Sequence, residues 1–101
     1  MIAVIFSSQR TDADADGYAA AADEMDALAR AQPGFVAVES ARGADGFGIT
    51  VSYWESEEAA KAWRAHLRHS EIREQGRADW YESYAVHVAE VTRTYNWTKE
   101  A

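Results

Sequence analysis

Apolar positions change their period several times along this chain. Ile2-Ala3-Val4-Ile5-Phe6 is a nearly continuous apolar run, which predicts an inner strand or one covered on both faces. Asp12, Asp14 and Asp16 follow, where carboxylates cap free N–H groups and oppose the positive end of a helix dipole. Tyr18, Ala21, Ala22, Met25, Leu28 and Ala29 then recur at helical spacing, with Asp23, Glu24 and Asp26 on the other side. This predicts an amphipathic helix, stopped by Gln32-Pro33-Gly34.

Two further strand-like runs, Phe35 to Ala41 and Phe47 to Trp54, flank Arg42-Gly43-Ala44-Asp45-Gly46 and predict a β-hairpin. Ser56 is placed to cap a second helix with Glu57 and Glu58 in its first turn. That helix carries Ala59, Ala60 and Trp63, and the spacing continues through His66, His69 or Ser70, and Ile72 or Arg73 to Gly76 or Arg77, with a break near His66 and Gly76 marking its end. Tyr84 to Tyr95, rich in Val, Tyr and Thr, predicts a last strand, long against an average of about five or six residues.

The resulting order, β-α-β-β-α-β, is the α+β ferredoxin-like arrangement: four antiparallel strands with both helices on one face. Residues 1–101 read as one domain. Helices cover one face only, yet both alternating sets are apolar: Ile2, Val4 and Phe6 against Ala3 and Ile5, and Phe47, Ile49, Val51 and Tyr53 against Trp54. An uncovered second face would exceed the roughly 300–600 Å² apolar patch of an ordinary monomer. The expectation is a homodimer that packs sheet against sheet, its last strand reaching toward the partner as far as Trp97. Tyr81, Tyr84, Tyr95 and Trp97 suit such a seam, joining apolar rings to polar tips.

Composition narrows the partners. A formal charge of −7 with no basic stripe argues against nucleic acid. The chain has no cysteine, which removes disulfides and thiolate chemistry and suits a reducing compartment. The first residues lack the basic flank and apolar length of a signal peptide, and no run approaches the roughly 20 apolar residues of a membrane span. A cytoplasmic protein away from membranes is expected.

Candidate chemistry concentrates in Trp63 to Arg77. His66 and His69 stand three apart, but two ligands fall short of the four of a structural metal site, so no metal is expected. As catalytic groups, neutral imidazoles would remove a phenolic or α-carbonyl proton, and Trp63 would supply an apolar wall with an N–H donor. The competing account places one histidine in solvent and the other on a carbonyl near the helix break, with Trp63 in the core. Arg73 and Arg77 suit an anionic substrate, or else a solvated helix face with Glu71 and Glu74. Tyr84 completes the candidate substrate-binding set.

The element order, Ser52-Tyr53-Trp54-Glu55-Ser56 running into a helix, the Trp63 to His66 spacing, Gly76-Arg77 and the last strand closing on Tyr95 together resemble the antibiotic-biosynthesis-monooxygenase-like proteins. These are a branch of the dimeric α+β barrel superfamily, and the resemblance covers Met1 to Trp97. It implies a homodimer whose sheets form a barrel, a pocket between sheet and helices, and no cofactor. Members include oxygenases of polyketide aromatics, quinol oxygenases and haem-degrading enzymes. The haem-degrading branch pairs a first-strand asparagine with the tryptophan and an axial histidine; here Phe6, Ser7 and Ser8 occupy the first position and Arg73 the last, so haem degradation is disfavoured. The polyketide branch places an asparagine and a tyrosine where this chain has Ala59 and His69. The implied function is a cofactor-independent monooxygenase-like enzyme acting on a small aromatic or polyketide-like metabolite. The alternatives are a non-catalytic dimeric module that binds a small apolar or aromatic molecule and, third, an isomerase.

Overall fold

The structure, a computed structural model, describes residues 1–100 and every side chain among them except that of Leu67. The N-terminal apolar run forms β1 (Ile2–Arg10), followed by α1 (Ala15–Arg30), the hairpin β2 (Phe35–Arg42) and β3 (Phe47–Trp54), then α2 (Glu57–Ala65), α3 (Leu67–Gln75), a π-helical turn (Gly76–Trp80) and β4 (Tyr81–Glu90). All three strand pairings are antiparallel, in the order β2-β3-β1-β4. This is the ferredoxin-like sheet, with its second helical region divided in two. Asp14, as expected, caps α1 by accepting the Gly17 N–H at 3.2 Å. No helix among the described residues is long and apolar enough to cross a membrane.

Register sorts the side chains. Ile2, Val4, Phe6 and Ser8 stand opposite Trp54, Ser52, Thr50 and Gly48, sharing the helix-side face. Against that face Ala29, Trp54, Ala60 and Trp63 form a buried cluster, flanked by Ile2, Val4, Met25, Leu28, Phe35 and Ala59. Trp54 is fully buried and its Nε1–H donates to Ser52 Oγ at 3.0 Å, so the indole buries its ring without orphaning its donor. Burying about 150–250 Å² of such a ring contributes roughly 4–6 kcal/mol before entropy is counted. Ala3, Ile5, Ser7 and Gln9 oppose Tyr53, Val51, Ile49 and Phe47 on the second face, where Phe47 and Ile49 remain 46% and 43% exposed.

Two sequence expectations are corrected. The last strand runs Tyr81–Glu90 rather than Tyr84 to Tyr95 or Trp97. It starts early because β1 extends to Arg10, whose partner is Tyr81, and it ends where β1 begins: Ile2 faces Glu90 and the Val91 N–H reaches Met1 O at 2.9 Å. Past that point the chain offers no neighbouring strand, and Tyr95 and Trp97 lie exposed. The strand propensity of Val, Thr and Tyr cannot act without a ladder to join. The second correction concerns β1 itself, which continues through the polar Ser7-Ser8-Gln9-Arg10 because β3 and β4 pair with it along that length.

The π-helical turn carries the buried Trp80 against the β1–α1 connection. Trp80 Nε1–H donates to Asp14 Oδ2 at 3.2 Å, and its carbonyl accepts from Thr11 N–H and Arg10 Nη1 at 2.9 and 3.1 Å. Gly76 does mark the end of α3, for a packing reason: a Cβ there would lie 2.8 Å from the Tyr81 ring.

Candidate functional site

Ser56 begins the local construction by accepting the Ala59 N–H at 3.1 Å, capping α2. The expected break falls at His66, whose backbone turns extended (φ −56°, ψ 131°) between α2 and α3. His66 Nδ1 accepts the Arg68 N–H at 3.2 Å, so the histidine caps α3. Arg68 in turn donates through Nε and Nη2 to the Glu24 carboxylate, the latter contact at 2.9 Å, and through Nη1 to Glu71 at 3.3 Å. The guanidinium beside Glu24 holds that carboxyl below its usual range. An elbow between α2 and α3 is thereby tied to α1.

Trp63 lies at the centre of the elbow. Its ring centroid is 6.0 Å from Trp54, 4.9 Å from His69 in a stacked pair, and 5.7 Å from His66. It therefore belongs to the core and also presents a side to both histidines. His69 Nδ1 lies 3.2 Å from Arg64 O; because a carbonyl only accepts, Nδ1 carries the proton and the neutral ring keeps its lone pair on Nε2. Burial, ahead of the neighbouring Arg73 and Arg64 guanidinium groups, pushes the His69 pKa below its usual 6.5, against the opposing pull of the Arg64 carbonyl. His66 has the complementary tautomer: with Nδ1 accepting, its neutral ring carries the proton on Nε2.

The other expected site residues divide. Arg77 Nε donates to the Tyr84 hydroxyl at 2.6 Å and Nη1 to Glu74 at 3.1 Å, while Tyr84 also lies 5.3 Å from the Phe6 ring. These two partner one another, so Arg77 has its charge met. Arg73 is different: its Nε and Nη1 are buried and meet no hydrogen-bond acceptor among the described residues. Trp63, His66 and His69 thus come together at the elbow, and Arg73 lies near enough to His69 for its charge to act on that ring. Arg77 and Tyr84 form a separate pair beyond the end of α3.

The openness of β4 on its helix side was not anticipated. Val86 and Val88 stand opposite Phe6 and Val4 on that face, yet are 37% and 59% exposed. The apolar wall continues past the Trp63 cluster, through Val4, into uncovered surface. Alternation in the Tyr-Ala-Val-His-Val run marked these valines as sharing a face, and nothing in their spacing told which elements cover it. Open concavities lie elsewhere, among them one of about 440 Å³ along Ser7, Gln9, Phe47, Ser83, Ala85 and the expected site residue Tyr84, and another of about 300 Å³ along Arg10, Arg42 and the hairpin connection. Neither is bordered by the elbow residues. Among the described residues no three His, Asp or Glu side chains are grouped to hold a metal ion.

This arrangement can be set beside known proteins. The family described as antibiotic biosynthesis monooxygenase matches residues 1–75. The uncharacterised protein YqjZ of Bacillus subtilis (strain 168) is 56% identical over 91 residues, covering 90% of this chain and 79% of that protein. Among solved structures, Rv0793 from Mycobacterium tuberculosis superposes with a TM-score of 0.81 at 20% identity, covering 94% of this chain and 98% of the other. SnoaB, a cofactor-independent oxygenase from Streptomyces nogalater, gives a TM-score of 0.77 at 17% identity, covering 92% and 94%. The structural likenesses show a shared fold, and with the family match spanning residues 1–75 the chain belongs to the antibiotic biosynthesis monooxygenase family.

Proposed function

We propose that the chain is a cytoplasmic, homodimeric, cofactor-independent monooxygenase-like enzyme acting on a small aromatic or polyketide-like metabolite. The observation that carries this reading is His69: stacked on Trp63, tied at Nδ1 to a carbonyl, neutral near pH 7 and left with a lone pair on Nε2. Such a group is a general base for an acidic C–H or phenolic O–H. Removing that proton leaves an electron-rich carbanion or phenolate, which is itself the reductant for dioxygen. A ring CH₂ then becomes C=O, one oxygen atom entering the substrate and the other leaving as water with the two protons removed. Trp63, buried and already stacked on Trp54 and His69, positions the His69 ring; the exposed Val86 and Val88 supply apolar surface for the substrate, and His66 Nε2–H is a donor for the developing oxyanion. Family membership and the fold shared with a cofactor-independent oxygenase support the class of reaction.

Oxygen uptake with a panel of hydroxylated aromatics tests it. Wild-type turnover is expected to fall by about 10²–10⁴ in His69→Ala and by a smaller factor in His66→Ala; equal turnover in all three proteins removes both histidines from the chemistry. The second reading, a non-catalytic small-molecule-binding dimer, is favoured by the structural duties that both histidines perform, His66 as a cap and His69 as a tie to Arg64. A ligand that binds and is recovered unchanged supports it. Anaerobic conversion of a substrate would instead indicate isomerisation.

A further inference from the structure

We infer that Arg73 is the anion-recognising residue of the helix-side site, and that the ligand is an aromatic ring bearing an anionic oxygen group, a carboxylate or an ionised phenol. The inference rests on the reading of the elbow as a ligand site and adds the charge of what enters it. Most cations on the helices have an acid at helical spacing: Arg30 with Asp26, Lys61 with Glu57, Arg68 with Glu71 and Arg77 with Glu74. Around Arg73 the same positions hold His69, Ser70, Gly76 and Arg77, none of them acidic.

Burial makes the difference consequential. Arg64 also lacks an acidic neighbour, but its side chain is exposed and water serves it. The Nε and Nη1 of Arg73 are out of water and without an acceptor among the described residues, in a chain of net charge −7 that has acids to spare. Arg73 is half-buried as a residue, and two donors held out of water in this state cost free energy in the empty protein, which an entering anion would offset with charge-assisted hydrogen bonds. The surroundings add the ring specificity. The stacked Trp63–His69 pair makes the elbow aromatic, and Val86 and Val88 extend an open apolar wall from Val4.

Calorimetric titration with matched pairs tests this at mildly alkaline pH: 2-naphthoate against 2-naphthamide for the carboxylate, and 4-nitrophenolate against 4-nitroanisole for the ionised phenol. At least one anion is expected to bind about tenfold or more tightly than its neutral twin. Arg73→Met should erase that preference, Arg73→Lys should keep part of it, and Arg64→Met, the same charge change on the exposed side of the elbow, should keep all of it. Arg73→Met should also raise the Tm of the empty protein by about 4–8 °C, because two orphaned buried donors are removed while an unbranched apolar stem is kept. Equal affinity within both pairs, no binding of either anion, a preference lost equally in Arg64→Met, or a lowered Tm in Arg73→Met overturns the inference. Arg73-dependent binding without oxygen uptake upholds it and removes the oxygenase reading; oxygen uptake on neutral substrates with no anion preference does the reverse.

Discussion

His69 shows how a residue type acquires a chemical character only from its contacts. The sequence offered two equivalent imidazoles three positions apart, whereas the structure gives them opposite tautomers, His69 donating from Nδ1 and His66 accepting there. Its lowered pKa also makes a stability prediction. The unfolded chain takes up a proton near 6.5 while the folded one resists until a lower pH. Between those two values the unfolded state binds more protons, so stability rises with pH. The contribution is fully present above pH 6.5 and is lost as pH falls through the folded value. Thermal melts should therefore show an acid-side loss in wild type that is reduced in His69→Gln, and kcat/KM should fall along an acid limb whose midpoint lies below 6.5. An acid limb unchanged in His69→Gln would assign it to another group.

At the scale of elements, the strands and α1 followed from apolar periodicity and turn residues, because those signals are local. Where the second helical region divides is also local, since His66 both breaks α2 and caps α3. What holds the elbow is not local: Glu24 and Arg68 are 44 residues apart, and no spacing rule joins them. The turn before β2 joins both scales. Gly34 adopts φ 82°, its carbonyl accepts the Glu55 N–H at 2.8 Å, and a Cβ there would come 2.6 Å from Ala59 Cβ. Gly34→Ala should cost about 1–3 kcal/mol from backbone strain and overpacking together, read as a shift in the urea midpoint at unchanged m-value. Because the clash falls on α2, oxygen uptake or ligand affinity should fall as well; a variant with wild-type stability would show that the turn relaxes freely.

At the scale of the whole molecule, the second sheet face is the unresolved surface of a single chain. Phe47 and Ile49 are 46% and 43% exposed, and Tyr53, Val51 and Ile5 continue the apolar face through the register of β1 and β3. A second copy laid on this face removes it from water, and the exposed Tyr95 and Trp97 lie on a tail long enough to extend such a contact. Sedimentation at micromolar concentration should give twice the 11.2 kDa of one chain. Ile49→Glu, which puts a charge in the middle of the face, should shift the population toward monomer. A wild-type species of one chain's mass would sink the dimer and the barrel with it.

Composition and periodicity by themselves determined the ferredoxin-like order, the amphipathic first helix, the hairpin, the break at His66 and the clustering of candidate chemistry on one segment, since each depends on residues within a few positions of one another. Tertiary structure alone decided where β4 stops, because a strand ends where its neighbour does. It alone decided which histidine keeps its Nε2 lone pair, because a tautomer is set by a carbonyl the fold brings up. And it separated Arg77, met by Glu74 and Tyr84, from Arg73, whose buried Nε and Nη1 meet no acceptor among the described residues: two identical side chains one turn apart on the sequence differ only in what packing places around them.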